Sequence, residues 1–271
     1  MSVLEIVNLL TVGLTSFNLK QQIPADIPTH NQFIPAGNLK SQGWFDEINS
    51  WTEQKKMMIN EKKTKCMIFN FTDKHQFTTR LQVNNEPIDV IDSTRLLGTI
   101  ITNDLCWDQN ISSIVRKANA RMELLRRVAG FGTPVEDLKT IYILFVRSIL
   151  EQSATVWHSS LTQENAEERV QRSALKIMLN DKYVSYKRSL AQLGLETLSD
   201  GRETLCLNFA MKCTKNEKLS HMFPLNQKNH DMETRHEEKY KVQFAHTNRL
   251  KNSPLTYMQK LLNQNEENKS N

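Results

Sequence analysis

Residues Arg95 to Val128 read RLLGTIITNDLCWDQNISSIVRKANARMELLRRV, an apolar strand-like run followed by a basic stretch with helical periodicity. With a helix start near Ile111, the residues Ile111, Ile114, Val115, Ala118, Met122, Leu125 and Ala129 recur at three- and four-residue spacing and form one buried stripe. Arg116, Lys117, Arg121, Arg126 and Arg127 fall off that stripe. Arg116 and Arg127 share nearly one azimuth three turns apart. Their guanidinium groups then stand roughly 16 Å apart along the outer face, about the reach of several nucleotides. Between Ile111 and Gly130 these five basic residues face a single acidic one, Glu123, a net +4 on one helix. Fields of that kind steer phosphate ligands. A solvated helix face is the competing account of the same charges.

Upstream of this stretch, KTKCMIFNF, TRLQVNN and PIDVIDSTRLLGTII are rich in β-forming residues, with Asn84-Asn85 as a turn, and predict a small, mostly antiparallel sheet. Gly98, inside an apolar run, marks a bulge or a close backbone approach. Trp44, Phe45, Ile48 and Trp51 repeat at helical spacing and predict one helix from about Ser41 to Lys56 that backs the sheet, its indoles serving as core anchors. Residues 2–10 fit neither a strand nor a helix clearly. From Thr11 to Gly43, with Pro24, Pro28 and Pro35, the chain reads as a long irregular loop.

Downstream of Trp107 the pattern is helical throughout. Thr133-Pro134-Val135-Glu136 reads as a capping box that starts a helix carrying Leu138, Ile141, Tyr142, Phe145 and Ile149. Another helix is predicted from about Thr162, a short one follows Ser185 and stops at Gly194, and the last spans about Ser199 to Thr214. Gly201 lies near the first turn of that last helix, where Gly201→Ala is expected to add roughly 0.5 to 1 kcal/mol of stability. After Pro224 the sequence turns polar and charge-mixed. The expected fold is α+β: a small, mostly antiparallel sheet with one backing helix, then a helical bundle. The expected divisions are a strand and loop over 1–40, the sheet unit over 41–105, the helical unit over 106–215 and a largely disordered polar tail over 216–271.

Composition narrows the function classes. With 39% hydrophobic and 24% charged residues in 271, the chain is neither fibrous nor disordered as a whole, and its net charge of +5 says little until its distribution is considered. Cys66, Cys106, Cys206 and Cys213 form no C-x-x-C pair and show no zinc-ligand spacing. No signal peptide or membrane span is read, and the expected setting is intracellular, nucleus or cytoplasm. No G-x-S-x-G, H-E-x-x-H or G-x-x-x-x-G-K-[ST] motif occurs, and His158 reads as a helix-end or core-edge residue. The adjacent acidic pairs Asp46-Glu47, Glu167-Glu168, Glu237-Glu238 and Glu266-Glu267 read as solvated surface. No Asp-Asp pair exists.

The run LLGTIITNDLCWDQNI followed by RKANARMELLRRV resembles the C-terminal half of the polymerase of non-LTR (LINE-type) retrotransposons. There a Y/F/L-L-G-V-x-I strand precedes L-x-W-x-x-x-I and a K-A-x-x-R-L-x-x-L-R-R helix. WTEQKKMMINEKKTKCMIFNF, Trp51 to Phe71, is similar to the W-x-x-x-N-x-M-x-L-N-x-x-K-T-K-x-M-x-F stretch of the same enzymes, and VRSILEQSATVW and LGLETL are similar to the helices that follow. The resemblance covers roughly residues 40 to 215 in one unbroken order.

The resemblance implies part of a palm, with SVLEI similar to the strand that returns from the catalytic hairpin, followed by a thumb. Leu96, Leu97 and Gly98 correspond to the loop that holds the primer 3′ end, Leu96 standing where an aromatic residue is common. Lys63 and Lys65, in the Lys62–Lys65 cluster, correspond to the K-T-K turn near the incoming nucleotide. Arg116, Lys117, Arg121, Arg126 and Arg127 correspond to the thumb face that lies along the template–primer backbone. Gly201 departs from the pattern, since a basic residue is usual there, and the segment before Val170 is slightly short. The complete enzymes use Mg²⁺ held by paired aspartates. Here Met1 falls just after that pair's place, so no catalytic residue, metal ligand or cofactor is assigned. The chain is expected to be inactive alone and to bind RNA or DNA duplexes weakly and without sequence preference, with no membrane and no small-molecule ligand. A helical protein–protein interaction module derived from the same scaffold, or an incomplete gene model of a full reverse transcriptase, are the alternatives.

Overall fold

The computed structural model of the chain describes residues 43, 46, 49–56, 59–60, 64–69, 71, 82–83, 86–161, 165–226 and 238–270. They form an α+β protein, mostly helical, and divide into two compact units between Trp107 and Asp108. The expected return strand, the loop over 11–42, Trp44 and the Asn84-Asn85 turn lie outside the described residues.

In the first unit residues 49–54 are helical, as are 43 and 46, and the chain leaves the helix through Lys56 at φ 55°. The β-rich stretches give six short strands: β1 (Lys65–Cys66), β2 (Gln82–Val83), β3 (Glu86–Pro87), β4 (Asp89–Val90), β5 (Ser93–Leu96) and β6 (Thr99–Thr102). One mostly antiparallel sheet was the expectation. Among the described residues the strands instead make three separate pairs, β1 with β4 parallel, β2 with β3 antiparallel and β5 with β6 antiparallel. The physical reason is interruption: Pro87 brings no N–H to a ladder, and most strands end after two residues. The best-formed pair runs from Ser93↔Thr102 to Leu96↔Thr99 and buries Thr99, Ile101 and Thr102 of β6.

Helix α1 (Asp108–Gly130) opens the second unit, three residues before the expected Ile111, with Asp108 in its first turn where the helix dipole favours an acid. Its apolar stripe is buried at Ile111, Ile114, Ala118, Met122 and Leu125. Next, α2 (Val135–Ile141) passes through a π-helical stretch, Tyr142–Arg147, into α3 (Ser148–Leu150). The capping box does not form. Pro134 takes the N-cap position at ψ 146°, and the Thr133 hydroxyl turns back to donate to the Val128 carbonyl at 2.8 Å, closing the previous helix rather than opening the next.

Then come α4 (Ala154–Trp157), α5 (Asn165–Leu179), α6 (Tyr186–Leu193) and α7 (Leu198–Thr214). Ser185 accepts from the Arg188 amide at the start of α6, and Gly194 ends it in the left-handed region at φ 59°, the stop that a glycine predicts. The solvated reading of Glu167-Glu168 fails. Glu167 is fully buried, and Glu168 Oε1 accepts from the Leu198 and Ser199 amides at 3.0 and 3.3 Å, capping α7, while its Oε2 accepts from the Tyr186 hydroxyl. Burial and that carboxylate together push the Tyr186 phenol well above its ordinary range.

The expected disordered tail is also corrected. After the one-turn α8 (Asn248–Lys251), α9 (Pro254–Ser270) runs almost to the end of the chain and buries Leu255, Met258, Leu261 and Leu262, packing against α7. Apolar residues spaced by three and four are present there, but Asn, Gln and Glu between them keep the average composition polar, which is what misleads a reading by composition.

Candidate nucleic-acid interface

The buried stripe of α1 fixes which way its cations face. Arg116, Arg121, Arg126 and Arg127 are exposed and Lys117 is half-buried. The five do not stand alike. Glu123 lies among them and takes Arg126 through Oε2 and Arg127 through Oε1, each at 3.3 Å, at the i+3 and i+4 positions. Hydrogen bonds from Arg127 and then Arg126 hold the Glu123 carboxyl below the usual carboxylate range. Arg116, Lys117 and Arg121 have no carboxylate partner among the described residues. The face therefore offers three cations directly, plus two that must exchange an exposed carboxylate for a phosphate. An exposed ion pair is weak enough for that exchange.

Leu96, Leu97 and Gly98 meet at the tip of the β5–β6 hairpin. Leu96 pairs with Thr99, leaving Leu97 and Gly98 as a two-residue loop with φ 51° and 92°. Positive φ at both loop positions is the turn whose twist matches the strands, so Gly98 serves a tight turn rather than a bulge. Leu97 holds a left-handed conformation that costs a branched side chain energy, and its side chain is 47% exposed. Of the two lysine candidates, Lys63 lies outside the described residues. Lys65, on β1, is ion-paired with Asp89 on the neighbouring β4, so its ammonium is engaged within its own unit.

Two clusters carry charges that sequence reasoning did not place. Arg147 is buried and donates to Glu151 Oε1 at 2.7 Å and to Glu196 Oε1 at 3.2 Å. Burial works against its charge, but the Glu151 hydrogen bond and the surrounding carboxylates outweigh it and hold its pKa above the ordinary value. Arg202, also buried, lies over the Trp157 ring at 5.3 Å. Salt-bridge spacing of four residues hinted at the Arg147–Glu151 contact; nothing local hinted at Glu196. Both arginines are packed inside and bind the helices to one another.

The 271 residues contain no adjacent aspartates, and among the described residues no three His, Cys, Asp or Glu side chains are placed to hold an ion. The four cysteines are free; Cys206 and Cys213 are buried, and burial pushes their thiols up to about 12 and about 11. No helix of the described residues is long and apolar enough to cross a membrane. No family model matches the chain, and neither a curated protein nor a solved structure matches it.

Proposed function

We propose that the chain is the palm-to-thumb portion of a retroelement RNA-directed DNA polymerase, without paired catalytic aspartates in its 271 residues, and that its activity is sequence-independent binding of duplex nucleic acid through α1. The observation that carries this reading is the spread of cations over the sides of α1 that its buried apolar stripe leaves outward, Arg116, Arg121, Arg126 and Arg127 exposed and Lys117 half-buried. Backbone phosphates are spaced regularly along a duplex, so a rigid helix that carries guanidinium and ammonium groups on its outward side neutralises more than one of them. The hairpin tip at Leu96, Leu97 and Gly98 is, in this reading, the element nearest a primer end.

With three directly available cations, the logarithm of the affinity should fall with the logarithm of salt at a slope of about −3. Replacing Arg116 and Arg121 together by Gln should lower duplex affinity about equally for all sequences and reduce that slope by about 2. Fluorescence anisotropy on duplexes of different sequence measures both. Binding that ignores salt, or a loss confined to one sequence, overturns the proposal.

A helical interaction module is the second reading, and exposed apolar residues favour it: Phe131 is 87% exposed at the end of α1 and Leu144 61% exposed on the π-helical stretch. Under that reading Phe131→Ser abolishes partner capture and leaves duplex affinity unchanged.

A further inference from the structure

Residues 239–251 contain Lys239, Lys241, Arg249 and Lys251 and no aspartate or glutamate. Lys241, Arg249 and Lys251 are exposed, as is Lys239, whose ammonium is paired with Glu266 at 2.8 Å. Among these cations Phe244 is 78% exposed, and the exposed His246 ring meets it edge to face, with centroids 4.7 Å apart and planes at 85°. A phenyl ring left 78% exposed, with a second exposed ring against it, gains little from core packing. The ring surface left to solvent is available for stacking.

The segment is also held in place. Asn263 of α9 accepts from the Tyr240 amide at 2.8 Å and donates to the Tyr240 carbonyl at 3.0 Å, as a neighbouring strand would. One turn earlier Gln259 accepts from the Gln243 amide at 3.1 Å and donates to the Met222 carbonyl at 3.0 Å. On the other side, Asn226 donates to the Lys239 carbonyl and Lys241 to the Pro224 carbonyl, both at 2.9 Å. Thr247 then caps α8, accepting from Leu250 at 3.2 Å. The aromatic pair is thus mounted on a backbone fixed at both ends, and a ligand that stacks on it pays little ordering entropy.

We propose that residues 239–251 form a platform for single-stranded nucleic acid, in which a base stacks on Phe244, and Lys241 and Lys251 hold the flanking phosphates. An exposed ring between cations on an ordered segment suits unpaired bases, whose faces are open, and not a duplex, whose bases are already stacked. The platform uses no residue of α1, so it stands or falls apart from the duplex reading.

The test uses the full chain and three fluorescent probes: an oligothymidylate of about twelve nucleotides, an abasic oligomer of the same backbone length, and a duplex. Phe244→Ala should weaken oligothymidylate binding about five- to a hundredfold, leave the abasic and duplex probes unchanged, and be rescued by Phe244→Trp. Because Phe244 lies outside every helix and faces solvent, circular dichroism and thermal melting should not move. Replacing Lys241 and Lys251 together by Gln should weaken both single-stranded probes alike and lower the salt slope by about 1. Unchanged oligothymidylate affinity in Phe244→Ala, or an equal loss on the abasic oligomer, overturns the proposal. So does a Phe244-dependent affinity for anionic lipid vesicles without one for the oligonucleotide. The Arg116 and Arg121 double variant, read on the duplex alone, reports separately on α1.

Discussion

Gly201 shows how packing decides what a single residue does. By propensity alone a glycine in the first turn of a helix should gain from replacement by alanine. In the folded chain a Cβ built on Gly201 runs into Arg147 Nη2 and stands 2.9 Å from Glu151 Oε1 and 3.1 Å from Glu196 Oε1. A free arginine would swing aside, but this one is buried and pinned by both carboxylates. The expected gain therefore reverses. Gly201→Ala should cost about 1 to 3 kcal/mol, the range for forcing an added carbon into a packed site, and a lowered thermal midpoint checks it. A raised midpoint means the Arg147 cluster yields more easily than its hydrogen bonds indicate. The space beside Gly201 is filled by the Arg147 cation from the π-helical stretch, and only a small residue on α7 leaves room for it.

At the scale of one element, α1 illustrates what a helix does with like charges. Its stripe was legible because burial needs apolar residues at a 3.6-residue period, and the cations were legible as what remains. Less visible was the brake built in among these cations. Glu123 sits three and four residues before Arg126 and Arg127, the spacing at which helix side chains meet, and it holds both. Removing that carboxylate without changing its shape leaves Arg126 and Arg127 available for phosphate. Glu123→Gln should accordingly tighten duplex binding and steepen the salt slope by about 1 to 2, measured on the same duplexes as the Arg116 and Arg121 variant. Unchanged or weaker binding would place the duplex contact elsewhere than α1. Thr133 is instructive at this scale too. A hydroxyl between two helices can serve either one, and the choice fell to the Val128 carbonyl in the last turn of α1, which also accepts from the Phe131 amide at 3.1 Å.

Over the whole molecule, the largest departure from expectation is the C-terminal segment, which becomes part of the helical unit. Met258 is fully buried on α9, and Leu255, Leu261 and Leu262 flank it on the same face. Met258→Ala should destabilise the protein by about 2 to 5 kcal/mol, as truncation in a packed core does, and denaturant unfolding measures it. A change within a few tenths would return this segment to the tail that its composition suggests. What the sequence determined alone was local: the stripe of α1, the Gly194 stop, and the absence of paired aspartates from these 271 residues. These depend on residues within a few positions of each other, through helix period, backbone conformation and composition. Tertiary structure decided the rest. Asn263 and Gln259 look like solvated tail until their amides meet the backbone of Tyr240 and Gln243, and Gly201 looks like a weak helix former until Arg147 crosses it. In each case the partner lies 16 or more positions away, where no local pattern carries information about it.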